Sequence, residues 1–520
     1  WCFYAELYDP SQAHPAGRDA SAPAEVKFED RKLAGSADAK SAGVAALDAD
    51  GDGKPDLLVW SRAGVRLYRG GAEPAANTGL EALKDVVAVA VGDYDDDGLP
   101  DLCVTTETAP HLFHNVKGRF EEKDAGLPKG RFETAVWLDF DHDYDDDLFL
   151  LGEKSALIRN DGEGKFEDFS SHFPFAAGRA VAAAFFRVVP DTKSMDLAVS
   201  YADHAGVLYR DDMRGVFHAT PLEAVAARAT QLTPVDIDND GWLDLAYTGP
   251  AGAAIALNKA GKFEVKAYEA AGGVAFADLE NRSLTDLIAG KAVRRNQGLA
   301  EMAAAKTPAG LADAVVSTIA DFDADGRTDV ASVAKDGSIH VSLNRTATRN
   351  VGLRMALVGV KNMKLAPGTE IEVKAGELYQ KKMWDGVPVV FGVDGHKQLD
   401  TVRISWANGL IQNQPNEPTA RPVTYKEAPR LSGSCPMIFT WNGREFEFIT
   451  DVLGVAPLGA GSGDGTYFPV DHDEYVTIPG ESLKAVDGRY QVRITEELHE
   501  VSYLDQVKLV AVDHPASTIV

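Results

Sequence analysis

Five short segments of this chain set carboxylates at alternate positions, and that spacing is a chemistry in itself. Asp48, Asp50 and Asp52 are followed by Gly53 and then Asp56. The same order returns as Asp93, Asp95, Asp97, Gly98 and Asp101, as Asp236, Asp238, Asp240, Gly241 and Asp244, and as Asp321, Asp323, Asp325, Gly326 and Asp329. A fifth copy, Asp139, Asp141, Asp143 and Asp147, has Tyr144 where the glycine stands elsewhere. Carboxylates at positions 1, 3 and 5 and a turn-forming residue at position 6 suit a hard cation that takes six to eight oxygens, calcium above all. The seventh residue of each loop (Lys54, Leu99, Asp145, Trp242 and Arg327) would add a backbone carbonyl, and the ninth a last carboxylate. A single Asp cluster reads as a turn, where Asp bonds its own backbone. Five copies in register read as four to five calcium ions.

These loops sit in a larger unit. Two worn copies fill the gaps: one starts at Val188 and keeps only Asp196, the other runs Asp278, Glu280, Arg282 and Asp286. In the latter a guanidinium stands where a third carboxylate belongs, so Arg282 is expected to pair with Asp278, Glu280 and Asp286 in place of an ion. First positions then fall at 48, 93, 139, 188, 236, 278 and 321, at intervals of 42 to 49 residues. Each loop leads into a β-type run such as Leu57–Trp60, then a second such as Val65–Tyr68, and in several units a Gly-x-Phe element such as Gly118–Phe120. Short apolar runs bounded by Gly, Asn and Asp are strands, and seven strand-rich units at this period predict a seven-bladed β-propeller. The seventh unit ends at Asn344 without its outer strand, and a matching piece, Val26–Asp30, precedes the first. A ring must remove its open edge, so Phe28 is expected to pair with the strand near His340–Leu343.

The surroundings of the loops bound what they serve. The 520 residues carry a net charge of −27, with 45% hydrophobic and 25% charged residues. That balance fits a folded chain and excludes nucleic acid or an anionic membrane surface as partner, since both need a basic face. No apolar run is long enough for a transmembrane helix. Cys2, Cys103 and Cys435 form no metal-ligand spacing, and their pairing stays open. Without Met at Trp1, and with the strand-like Val507–Val512 close to Val520, the chain reads as a mature or partial product.

The D-x-D-x-D-G-x-x-D-L loops resemble FG-GAP/VCBS repeats over roughly residues 26–345, although the Phe-Gly…Gly-Ala-Pro signature is absent. Residues 350–425 resemble an ASPIC/UnbV domain through Gly368–Val373, Phe391-Gly392 and Val402–Gly409, with Ala407 where that family has Pro. Together the two parts resemble cartilage acidic protein 1-like proteins. The resemblance implies calcium in the loops and an extracellular, cell-surface or periplasmic location. The expected organisation is all-β: an N-terminal extension (1–25), the propeller (26–349), a small β-sandwich-like domain (350–428) and a second β-rich domain (429–520) that reads as truncated. In the last, Phe439–Phe446 reads as a hairpin around Asn442-Gly443, with further strands at Tyr490–Ile494 and Val507–Val512, and Gly459–Gly465 as a flexible connection. Asp471-His472-Asp473-Glu474 reads as a solvated loop rather than a metal site.

The function expected from these parts is a non-catalytic scaffold for a protein or glycan partner, with calcium structural. Two alternatives stand beside it. One is a secreted polysaccharide-acting enzyme using the propeller funnel, for which His142, His204, His114 and Arg187 are the candidates. The other is an accessory extracytoplasmic subunit of a membrane complex, held through residues beyond Trp1, with Trp1–Tyr8 as the stub of that contact. No nucleophile elbow, zinc motif or redox motif supports the first.

Overall fold

The computed structural model describes residues 23–428, except 163, 191, 193, 213, 214, 270, 271, 361 and 362, and then 437–451, 476, 478, 480, 482–495 and 507–511. Residues 1–427 form one compact unit and 428–520 a second.

The first unit contains seven antiparallel sheets of propeller type. In the first blade, Gly43–Leu47 lies innermost, followed outward by Asp56–Ser61, Gly64–Arg69 and the short Glu73–Pro74. Blades two to five repeat this order with full outer strands, Phe120–Lys123, Phe166–Asp168, Phe217–Leu222 and Lys262–Tyr268. Blade six has three strands, Val274–Ala277, Asp286–Ala289 and Ala292–Arg294. The outer strand expected there is replaced by segment 295–313, tied in by single bridges such as Val293 to Lys306. Blade seven is Ala314–Ala320, Asp329–Ala334 and Ser338–Asn344, with Phe28–Ser36 as its fourth strand.

That last pairing closes the ring as the sequence predicts. Phe28 faces Asn344, Asp30 faces Ser342 and Lys32 faces His340 in antiparallel register. The second strand of each blade is apolar and nearly wholly buried, as in Asp101–Thr106 and Asp329–Ala334, because neighbouring blades cover both of its faces. Each junction between blades has its own apolar cluster. Leu47, Leu58 and Phe113 join blades one and two. Phe28, Ile288 and Val330 join six and seven, and Leu57, Tyr68 and Phe322 join seven and one. Such layers exclude water and hold the blades at a fixed stagger.

Residues 352–427 fold into a β-sandwich. One sheet holds Val389–Gly392, Gly352–Val358 and Val423–Lys426, the last two parallel. The other holds Leu378–Met383, Glu370–Ala375, Gln398–Ser405 and Ile411–Pro418. Between them lies a core with Met355, Ile371, Phe391, Val402 and Trp406.

This sandwich sits on the end of the propeller that carries the Asp loops. Arg354 donates to the Gly53 carbonyl of blade one (2.5 Å) and lies 3.6 Å from Asp321 of blade seven. The backbone N–H groups of Lys364 and Leu365 donate to Asp96 (2.6 Å) and Asp93 (3.2 Å) of blade two. Met363, Pro367 and Ala407 line a cleft with Asp139 and His142 of blade three. Arg187 of blade four, 3% exposed, donates to the carbonyls of Gly368 and Trp406. Asp394 donates its backbone N–H to the Asn281 carbonyl of blade six. The sandwich is therefore a cap on the loop end of the ring.

In the second unit, Phe446–Asp451, Met437–Trp441 and Val492–Thr495 form a three-stranded sheet, and Trp441 faces Phe446 across the expected hairpin. Residues 507–511 carry no strand, a correction to the sequence reading. Cys2, Cys435, Val512, the Gly459–Gly465 segment and the Asp471–Glu474 segment lie outside the described residues. Cys103 is a free, buried thiol.

Candidate metal centres

All five acidic loops connect an innermost strand to the second strand of its blade, and all fold alike. The first Asp turns back on its own loop. Asp48 accepts from the backbone N–H of Asp52 and Gly53, Asp236 from Asp240 and Gly241, and Asp321 from Asp325 and Gly326. The fifth carboxylate accepts the N–H of the seventh residue: Asp52 from Lys54, Asp97 from Leu99, Asp143 from Asp145, Asp240 from Trp242 and Asp325 from Arg327. The sixth residue takes a left-handed φ, +80° at Gly53 and +76° at Tyr144. Tyr144 thus accepts a conformation that costs a side chain about 1–2 kcal/mol.

The ninth Asp is a structural pin. In five of the seven loops one oxygen accepts from the second residue of the loop, for example Phe140 to Asp147 and Phe322 to Asp329, and in blade four it accepts from Val188. The other oxygen accepts from the residue that ends the third strand, for example Asn160 to Asp147 and Asn344 to Asp329. Asp196 and Asp286 keep this role in the worn loops.

Positions 1, 3 and 9 converge. One oxygen from each of Asp48, Asp50 and Asp56 lies within 4.8 Å of the others, and the same holds for Asp93, Asp95 and Asp101, for Asp139, Asp141 and Asp147, and for Asp236, Asp238 and Asp244. A cation at or next to the end of the third strand holds the outer oxygen of the carboxylate at loop position 3: Arg69 on Asp50, Lys259 on Asp238 (2.5 Å) and Arg345 on Asp323 (2.7 Å). The other oxygen of each of these carboxylates, Oδ1 of Asp50, Asp238 and Asp323, is buried without a hydrogen-bond partner, as is Asp141 Oδ1. The same atom is orphaned in four loops, and buried polar atoms are rarely left so. An all-oxygen set with such atoms fits a calcium ion.

The electrostatics agree. Burial pushes the Asp56 carboxyl up to about 6 and the Asp329 carboxyl up to about 8. Burial, aided by nearby carboxylates, pushes Asp93 up to about 7 and Asp101 up to about 9, and raises Asp236 and Asp244 well above the ordinary range. Without a cation such a group keeps a proton instead of its charge.

The worn loops take other solutions. Arg282 binds Asp286, lies 3.4 Å from Glu280 and donates to the Asn296 carbonyl. Asp278 is satisfied by the backbone N–H of Arg282 and Ser283. In blade four, Arg210 holds Asp196 at 3.0 Å.

The four residues weighed for catalysis do not gather. His142 faces Asp211 (2.8 Å), Arg187 is buried under the cap, and His114 lies beside Asp95. His204 is at the opposite end of blade four, against the Ala205 and Ala177 carbonyls.

Two features escaped the sequence reading. The strand-end cations are one. The other is a buried Asn at or within two residues of that strand end, which clamps adjacent blades. Asn115 donates to the Ala49 carbonyl, Asn160 to Tyr94, Asn258 to Val188, Asn296 to Ile237 and Asn344 to Leu279. The signal was present as Leu-Phe-His-Asn, Leu-Ile-Arg-Asn and Leu-Asn-Arg.

Residues 48–104 and 93–150 each match the model of the FG-GAP-like repeat. The chain is a β-propeller whose first blades carry FG-GAP-like repeats. No curated protein matches the sequence. Among solved structures, an Agrocybe aegerita lectin recognising non-reducing terminal N-acetylglucosamine is 18% identical, with 56% of this chain and 88% of that chain covered and a TM-score of 0.41. BBS1N in complex with ARL6DN is 11% identical over 62% and 97%, with a TM-score of 0.44. YCF48 bound to the D1 peptide is 14% identical over 61% and 95%, with a TM-score of 0.39.

Proposed function

We propose that this FG-GAP-type propeller is an exported, calcium-stabilised binding scaffold for a protein or glycan partner, with its 352–427 sandwich an ASPIC/UnbV-type cap. The observation that carries the calcium reading is the unpartnered carboxylate oxygen repeated at Asp50, Asp141, Asp238 and Asp323. Asp48, Asp93, Asp139, Asp236 and Asp321, with the third and ninth residues of each loop, would hold the ions. Calcium there supplies charge balance, not chemistry.

Among the described residues of the first unit, the cap covers the loop end and nothing covers the opposite end, which we assign to a partner. That rim is braced by an ion-pair chain: Arg62 to Glu107 (2.5 Å), Arg131 to Glu107 and Glu133, and Arg179 to Glu133 (3.1 Å). A rigid ring presenting loops is a form suited to recognition. A funnel enzyme finds less support, since its candidate residues lie at opposite ends of the blades and Arg187 is buried under the cap. Metal analysis of the dialysed full chain tests the reading: four to five calcium ions are expected, and zero or one overturns it.

A further inference from the structure

Blade two departs from the other acidic blades in two ways that meet at one point. In four of the five acidic blades a residue at or next to the end of the third strand faces the loop and is permanently cationic: Arg69, Arg159, Lys259 and Arg345. In blade two it is His114, whose neutral ring offers a lone pair that Arg and Lys lack. Its Nδ1 is 2.9 Å from Asp95 Oδ2 and 3.5 Å from Asp101 Oδ1. The approach is not that of a hydrogen bond, and Nδ1 is buried without a partner.

The second departure is at the pin. Asp101 is fully buried, and its Oδ2 has no partner. The matching oxygens of Asp56, Asp147, Asp244 and Asp329 all accept a loop N–H. One ring nitrogen of His114 and one oxygen each of Asp95 and Asp97 lie within 4.8 Å of one another. Asp95 also belongs to the triad with Asp93 and Asp101. Nitrogen and oxygen donors therefore line the same space, and Tyr94 packs edge-on against the imidazole.

We propose that the second-blade centre is a mixed nitrogen–oxygen site that binds a divalent transition ion of the zinc class, with His114 as its nitrogen ligand and Asp95, Asp97 and Asp101 as oxygen ligands. Imidazole favours such ions, whereas the all-oxygen loops suit calcium. The inference rests on reading 93–101 as a metal loop, but not on calcium in the other four.

The test titrates the metal-stripped full chain with zinc against a chromogenic chelator in millimolar calcium. Wild type should retain zinc, lose one calcium, and weaken by more than about tenfold on His114→Arg, the residue type found in the other blades. Cobalt loaded in place of zinc should show visible absorption that His114→Arg abolishes. His111→Gln, an exposed imidazole paired with Glu122, should change nothing. Zinc retention indifferent to His114→Arg, or no retention in calcium, overturns the proposal. If zinc binds through His114 while the chain takes up no calcium, this inference stands and the calcium reading falls. If calcium fills all five loops and zinc none, only this inference falls.

Discussion

The loops of blades five and six have nearly the same hydrogen bonds and different charges at their centres. Asp236 and Asp278 each accept from the N–H groups of the fifth and sixth loop residues. Asn239 and Asn281 both take a left-handed φ, +57° and +51°, and each reaches a carbonyl of the next blade. Asn258 and Asn296 pin Asp244 and Asp286 in the same manner. Yet blade six fills its centre with the Arg282 guanidinium, while blade five leaves Asp238 Oδ1 unpartnered and places Lys259 outside. The backbone of the loop is thus set by its own side-chain and main-chain bonds. What differs is the source of the balancing charge, which is covalent in blade six and, on the proposed reading, exchangeable in blade five.

Removing exchangeable cations should give the largest effect. An ion held at a thousandfold above its Kd stabilises by about 4 kcal/mol, and several leave together. Excess chelator should lower Tm by more than about 10 °C, with poor rescue by magnesium, which demands a smaller octahedral shell. An unchanged calorimetric transition would remove the contrast between the blades.

Arg282→Ala should come next. It leaves the buried Asp286 without its guanidinium, while Glu280 keeps Arg295, a loss of about 3–5 kcal/mol. Denaturant titration should show this loss in calcium and in chelator alike. Arg282→Asp should instead make the loss calcium-dependent and add one bound ion. If added calcium leaves Arg282→Asp as unstable as Arg282→Ala, the two loops are not interchangeable.

A smaller effect is expected from pH in the chelated protein. Asp56 and Asp321 titrate at about 6, Asp93 at about 7 and Asp329 at about 8 in the fold, against about 4 in an unfolded chain. A raised folded value means that their stabilising contribution is complete below about pH 4 and is lost as pH rises through about 6 to 8. Chelated protein should therefore melt higher at pH 5 than at pH 8, and calcium should reduce that slope. Equal slopes with and without calcium would show that the carboxylates are not its site.

Tyr144→Gly should give the smallest change, a gain of about 1 kcal/mol from relief of the left-handed φ at that position. A loss instead would mean that the ring of Tyr144 packs more strongly than its backbone strains.

The repeat was legible because an Asp loop, an apolar strand and a turn recur together, and even the closing strand at Phe28 could be placed from the missing edge beside Asn344. The outer strand of blade six was not legible, since 295–313 satisfies itself through isolated bridges such as Asn296 to Met302 rather than a ladder. The seat of the cap was hidden for another reason. Many of its contacts use a main-chain group on one side at least, such as the N–H of Leu365 and of Asp394, the approach of Gly352 to the Gly326 carbonyl, and the carbonyls that Arg187 and Arg354 reach, and these leave no paired side-chain pattern. The clamping asparagines were visible but read as turn residues, the role Asn usually has.

The seam at Phe28–Ser36 also sets an order of birth. Phe28 leaves the ribosome 316 positions (344 − 28) ahead of Asn344, its partner in the ladder. At about 5–20 residues per second that is on the order of tens of seconds. During that time six blades can stack, but the arc has two raw edges and an unpaired leading strand. Chains arrested before Ser338 should stay protease-sensitive at both edges, and those released past Asn344 should not. The propeller becomes a ring only when the last strand of the blade array meets the first propeller strand made.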